Sequence, residues 1–147
     1  MDAERLELES FLPYRLNRLT DAVSREFSAL YRERYGITRP EWRLLATLGQ
    51  YGTMTATEIG RHSSMHKTKV SRAVTALEKR RWVARETSEA DRRVEQLRLT
   101  KAGMDAYRDM VPLAKDYERR LEHAISTARF ADFDHALGRL EALVLGK

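Results

Sequence analysis

The apolar residues of this chain change period twice near its middle, and that change limits the fold more than any other feature. Up to Leu77 they recur at spacings of three and four, the rhythm of an α-helix. From Val83 to Thr87, and again from Glu95 to Thr100, they alternate roughly every second residue, most clearly in Leu97-Arg98-Leu99. From Lys101 onward the helical rhythm returns. The switch specifies helices, then a β-hairpin around the polar stretch Ser88-Glu89-Ala90-Asp91-Arg92-Arg93, then helices again.

The helical segments carry their own punctuation. Leu12, Leu16, Leu19, Val23, Phe27 and Leu30 form one stripe of a helix expected from about Ser10 to Arg34, with Pro13 near its start and Gly36 past its end. Thr38-Arg39-Pro40-Glu41 is a capping box that opens a second helix, with Trp42, Leu45 and Leu48 as its buried face and Gly49 and Gly52 closing it. Thr55-Ala56-Thr57-Glu58 repeats the pattern ahead of a short helix carrying Ile59, which Ser63-Ser64 break. A fourth helix follows from about His66 to Arg80, with Val70, Ala73, Val74 and Leu77 facing inward. Two short helices joined by a tight turn, the second strongly basic, predict a helix-turn-helix, and the hairpin after it is a wing.

After the wing, Thr100 caps a helix from about Lys101 to Ala124. Its seam is Met104, Tyr107, Val111, Ala114, Tyr117, Leu121 and Ala124, with a kink or local break expected at Pro112. Ser126 is placed to cap a last helix carrying Phe130, Phe133, Leu137, Leu140 and Val144. These end helices are longer than the central lobe needs, and the chain has few other elements to cover their stripes. Pairing with the same helices of a second copy buries them across a two-fold interface; a bundle within one chain is the alternative. The expected architecture is mainly α with a small β-hairpin wing. Residues 1–36 and 104–147 form a helical dimerisation region, and residues 37–103 form the winged helix-turn-helix.

Charge follows the same division. The net charge is +5, yet from Glu58 to Lys101 twelve Lys and Arg stand against six Asp and Glu, and the remainder is close to neutral. Positive charge confined to one lobe is the footprint of a polyanion-binding surface, or else a solvated basic face with no partner. The absence of Cys excludes disulfides, thiolate metal sites and thiol redox sensing. No apolar run approaches the roughly 20 residues of a membrane span, and Met1-Asp2-Ala3-Glu4-Arg5 is no secretion signal, so a cytoplasmic protein without membrane association is expected.

There is no Gly-rich phosphate loop, metalloprotease motif or Cys nucleophile, so neither enzymatic activity nor a cofactor is expected. Glu58, His62 and His66 recur at intervals of four, a metal-site spacing on a continuous helix; Ser63-Ser64 interrupt that helix, so no metal is expected.

Two stretches resemble the MarR (multiple antibiotic resistance regulator) family. His66-Lys67-Thr68-Lys69-Val70-Ser71-Arg72-Ala73-Val74 with Leu77-Glu78-Lys79-Arg80 looks like the family's recognition helix. Asp91-Arg92-Arg93, followed by Leu97-Arg98-Leu99-Thr100-Lys101-Ala102-Gly103, looks like its wing and the strand returning into the next helix. Two positions depart from the pattern. Arg81 stands where the family has Gly, so either Arg takes a left-handed conformation, at a cost on the order of 1 kcal/mol, or the chain turns differently. His66 stands where an acidic or hydroxyl cap is common, which leaves Ser64 as the other candidate cap.

The resemblance implies a homodimeric regulator of transcription that binds double-stranded DNA. On the helix wheel, Thr68, Arg72 and Thr75 oppose the buried face, with Lys69 and Ser71 flanking them. In a major groove, Arg72 suits guanine O6 and N7, while Thr68 and Thr75 suit a thymine methyl or a phosphate. Lys67 and Lys69 suit phosphates. Arg92 and Arg93 suit an adjacent narrow minor groove, and Asp91 suits an internal role holding an Arg or the hairpin turn. A dimer places its recognition helices about 34 Å apart, hence a pseudo-palindromic operator.

The family also implies an effector, a small aromatic acid or its coenzyme A thioester. It is expected in a cleft lined by Tyr14, Arg15, Arg18, Trp42 and Arg43, with a repressor as the regulated form. The alternative is a winged-helix module for RNA or protein contact without ligand response; A-form RNA hides its major groove from side chains.

Overall fold

The computed structural model describes residues 4–146; the opening Met1-Asp2-Ala3 and the terminal Lys147 lie outside the described residues. A short 3-10 turn, Leu8–Ser10, precedes helix α1, Leu12–Tyr35. Then come α2 Arg39–Tyr51, strand β1 Met54–Thr55, α3 Ala56–Ser63, α4 Lys67–Lys79, β2 Val83–Thr87, β3 Glu95–Leu99, α5 Lys101–Ile125 and α6 Thr127–Leu145. This is a mainly helical winged helix-turn-helix. The chain divides into two compact units at Met110 and Val111.

The first unit is built around α2, α3 and α4. Leu44, Leu45, Leu48, Ile59, Val70, Ala73, Val74 and Leu77 are all buried, joined by Val83 and Leu97 from the wing. The inward stripe of α4 is the one its spacing predicts. In α2 the fully buried residues are Leu44, Leu45 and Leu48, whereas Trp42 is half-buried among aromatic rings.

The wing strands pair in antiparallel register, Val83 with Leu99 and Arg85 with Leu97. β1, too short to show any periodicity, adds a third strand by pairing Met54 with Leu97, giving the order β1-β3-β2.

The cap at the start of α5 explains the Leu-Thr-x-x-Gly sequence physically. Thr100 Oγ1 accepts the Gly103 amide at 3.1 Å and donates to the Arg81 carbonyl at 2.6 Å, while the Thr100 amide reaches the Trp82 carbonyl at 2.9 Å. A Cβ on Gly103 would lie 2.1 Å from that Trp82 oxygen, so only glycine fits. Arg81 takes the left-handed conformation, φ 62°, and the Trp82 amide closes back on the Leu77 carbonyl at 2.9 Å. The turn usually made with glycine is therefore made with arginine.

Several local expectations are corrected. Gly49 lies inside α2 and does not end it; a Cβ there would come within 2.5 Å of the Tyr107 ring, so the glycine serves close packing. Glu41 completes no reciprocal capping box: its carboxylate takes the Thr38 hydroxyl at 2.6 Å, leaving only the weaker Thr38 cap to the Glu41 amide. Ser64 does not cap α4. It ends α3 in the left-handed region, φ 54°, and His66 Nδ1 accepts the Thr68 amide at 3.3 Å. α5 is not interrupted at Pro112, which sits inside the helix. Ser126, with φ 85°, offers only its carbonyl to α6 and no side-chain cap.

Each unit leaves apolar surface in water. In the first, Leu12, Leu16 and Leu19 of the α1 stripe are exposed, and Val23, Phe27 and Leu30 only half-buried. In the second, Phe133 and Leu137 are exposed, and Leu143 and Val144 stand 80% and 75% accessible. No helix among the described residues is long and apolar enough to cross a membrane.

Candidate nucleic-acid interface

The face of α4 opposite its buried stripe carries Thr68, Arg72 and Thr75, all exposed. Thr75 Oγ1 turns back to the Ser71 carbonyl at 3.1 Å, which leaves its methyl outward. Lys67 and Ser71 lie on one flank of this face and Lys69 on the other, again exposed. Among the described residues none of Arg61, Lys67, Lys69 and Arg72 is paired with a carboxylate. The first turn of α4 contains no acid at all. Cations at a helix N-terminus oppose the helix dipole, so Lys67 and Lys69 gain nothing for stability there. They add to a positive potential that already favours anions.

The wing tip is ordered by Asp91. Its Oδ1 accepts the Arg93 amide at 3.0 Å and Arg93 Nε at 3.3 Å, while the Ser88 and Val94 amides close the turn on the Val94 and Asp91 carbonyls. Arg92 is exposed, and the Arg93 side chain is 91% accessible despite its bond to Asp91.

Sequence reasoning missed the link between wing and helix. Arg85 Nε donates to Glu78 at 2.9 Å and Arg85 Nη1 to Glu95 at 2.8 Å, tying the last turns of α4 to both wing strands. These bonds, Glu78 first, raise the Arg85 guanidinium above its ordinary pKa. A second pair, Arg98 with Glu86, spans the strands. The positions follow from hairpin register, which period alone does not give. A groove of about 540 Å³ lies beside this clamp, with Met65, Val70, Val74 and Leu97 as its floor and Arg61 and Lys67 at its edge.

The residues expected to share an effector cleft are not brought together within the chain. Tyr14 stacks under Arg18 at 5.9 Å, and Arg15 is exposed beside them on the first turns of α1. Trp42 stacks on Tyr31 with centroids 5.6 Å apart and meets the edge of Phe27 at 5.1 Å. Phe27 lies roughly 20 Å further along α1 than Tyr14 at 1.5 Å per residue. Arg43 turns to the Ser63 carbonyl at 3.2 Å. Burial, and next the charge of Arg39, hold its pKa below the ordinary arginine value. The suspected metal spacing is occupied otherwise: His62 Nε2 and Tyr51 Oη share a hydrogen bond at 3.0 Å, and His66 caps α4. No group of three metal-ligating side chains gathers among the described residues.

A basic helix exposed at the rim of a compact lobe, with an arginine-tipped hairpin beside it, defines the winged helix-turn-helix class. Residues 37–94 match the MarR family model. The solved structures of known regulators extend the likeness to nearly the whole chain. A MarR family transcriptional regulator from Silicibacter pomeroyi is 29% identical, over 92% of this chain and 90% of its own, with a TM-score of 0.78. A MarR/EmrR family regulator from Acinetobacter sp. ADP1 shares the fold at a TM-score of 0.84 and 22% identity, over 97% of this chain and all of its own. NadR, solved in complex with 4-hydroxyphenylacetate, shares the fold at a TM-score of 0.77 and 19% identity, over 90% of this chain and 96% of its own. No curated protein matches the sequence.

Proposed function

We propose that the protein is a sequence-specific, double-stranded DNA-binding regulator of transcription that acts as a homodimer on a pseudo-palindromic operator. The observation that carries this reading is the exposed α4 face: Thr68, Arg72 and Thr75 outward, lysines on both flanks, and Arg92 and Arg93 on an ordered wing. Arg72 reads guanine in the major groove, Thr68 and Thr75 meet thymine methyls or phosphates, Lys67, Lys69 and Ser71 set the helix on the backbone, and the wing arginines enter the neighbouring minor groove. The apolar residues left in water on α1 and α6 support a second copy as their cover.

The regulated form is a repressor released by a small aromatic acid or its coenzyme A thioester. NadR, solved with 4-hydroxyphenylacetate, supports this choice of chemistry. Tyr14, Arg15 and Arg18 are exposed and available to a cleft that a second copy completes, while Trp42 already serves the aromatic cluster.

The test is selection and sequencing of genomic fragments by the purified protein, with and without 4-hydroxyphenylacetate. Recovery of a two-fold-symmetric site supports the reading; random recovery overturns it. An acid that changes neither recovery nor melting temperature removes the effector.

A further inference from the structure

A helix lying in a major groove has a phosphate wall on each side, and the flank of α4 away from the wing has cationic neighbours of its own. An open cavity of about 350 Å³ there is lined by Arg39 and Arg43 of α2 and by His66 and Lys69 at the start of α4, with Pro40 and Met65 between them and no carboxylate among its lining. Neither Arg39 nor Lys69 has an ion-pair partner among the described residues. Arg39 is the first residue of α2 and Lys69 lies in the first turn of α4, so both place positive charge against a helix dipole. Burial first, and then the charge of Arg39, depress the pKa of Arg43, whose guanidinium finds the Ser63 carbonyl but no carboxylate partner among the described residues. Clustered cations that work against folding are explained by an anion that arrives from outside.

We propose that Arg39 and Lys69, with Arg43 behind them, form a binding site for a backbone phosphate of the strand opposite the wing, so that α4 is held from both walls of the groove. This deepens the DNA-binding reading and rests on it. The phosphate supplies the charge that the cluster lacks. Lys67 and Arg61 serve the other wall, which fixes the helix without specifying sequence.

The test compares wild-type protein with Arg39→Gln, Arg39→Lys and Arg72→Ala on the selected operator and on an unrelated duplex, over a range of potassium chloride. Arg39→Gln is expected to weaken binding to both duplexes by the same factor and to reduce the slope of log affinity against log salt by about one. Arg39→Lys is expected to restore most of that slope. The melting temperature of Arg39→Gln is expected to equal or exceed that of the wild type, a result that a structural role for Arg39 does not give. A neutral methylphosphonate at the contacted phosphate should cost the wild type affinity and cost Arg39→Gln less, because only Lys69 and Arg43 then remain to lose the charge; an equal cost to both contradicts an Arg39 contact. An unchanged slope in Arg39→Gln, with wild-type binding intact and Arg72→Ala losing operator preference, overturns the site and leaves the DNA reading standing. Competition by inorganic phosphate beyond that of chloride at equal ionic strength overturns it in favour of a free anion. Failure of the wild type to bind either duplex overturns both.

Discussion

Arg72 stands at the centre of the exposed α4 face, and a guanidinium there has two ways to act on a duplex. Bidentate bonding to guanine O6 and N7 is worth about 1–3 kcal/mol of discrimination, whereas a phosphate contact strengthens all sequences alike. Arg72→Ala is therefore expected to lower the preference for operator over unrelated DNA by roughly tenfold or more while leaving general affinity nearly intact; equal loss on both, in paired titrations, contradicts base reading. Two other residues report on the fold. Arg81 holds φ 62° without the freedom of glycine, so Arg81→Gly should raise stability to urea by about 0.5–1 kcal/mol. Gly103→Ala drives a methyl into the Trp82 carbonyl and should lower stability by on the order of 3 kcal/mol, visible as a shifted urea midpoint.

At the scale of elements, the wing and the α1–α5 junction behave differently. Replacing both Arg92 and Arg93 by Ala should weaken binding mainly at the flanks of the site, since Asp91 orders the turn independently of the groove. A footprint unchanged at its edges would remove the wing from the interface. At the junction, Arg34 Nε and Tyr35 Oη donate to Asp109 at 2.8 and 2.6 Å. The Tyr35 bond first, and the Arg34 bond next, hold the Asp109 carboxyl below its ordinary pKa. A lowered folded value means stabilisation present above the unfolded pKa and lost as pH falls through the folded one. Asp109→Asn should thus narrow the difference in urea midpoint between neutral and strongly acidic solution; an unaltered difference contradicts the linkage.

Sequence made most of these elements visible because period and caps are local. The α4 stripe and the two wing strands follow directly from spacing. Strand β1, with only Met54 and Thr55, shows no period, and its pairing with Leu97 is a tertiary fact. The glycine at position 49 signals a stop in sequence, yet Tyr107 is what requires it. The clamp of Arg85 between Glu78 and Glu95, and the gathering of Arg39 with Lys69, depend on how elements meet, which residue spacing does not encode.

For the whole molecule, two properties follow from surface alone. Exposed Leu12, Leu16 and Leu19 on α1, and Phe133, Leu137, Leu143 and Val144 on α6, predict a dimer in sedimentation at micromolar concentration; a monomer there removes the two-fold operator. The positive charge concentrated between Glu58 and Lys101 predicts that affinity tracks ionic strength. The most direct measurement is a titration of the purified protein against its selected duplex, an unrelated duplex and an A-form RNA of the same sequence, repeated across salt. The expected result is a linear fall of log affinity with log salt, a preference of about 10³ or more for the selected duplex over the unrelated one, and weak RNA binding. Equal affinity for all three, or an affinity indifferent to salt, would contradict a cationic helix reading the major groove.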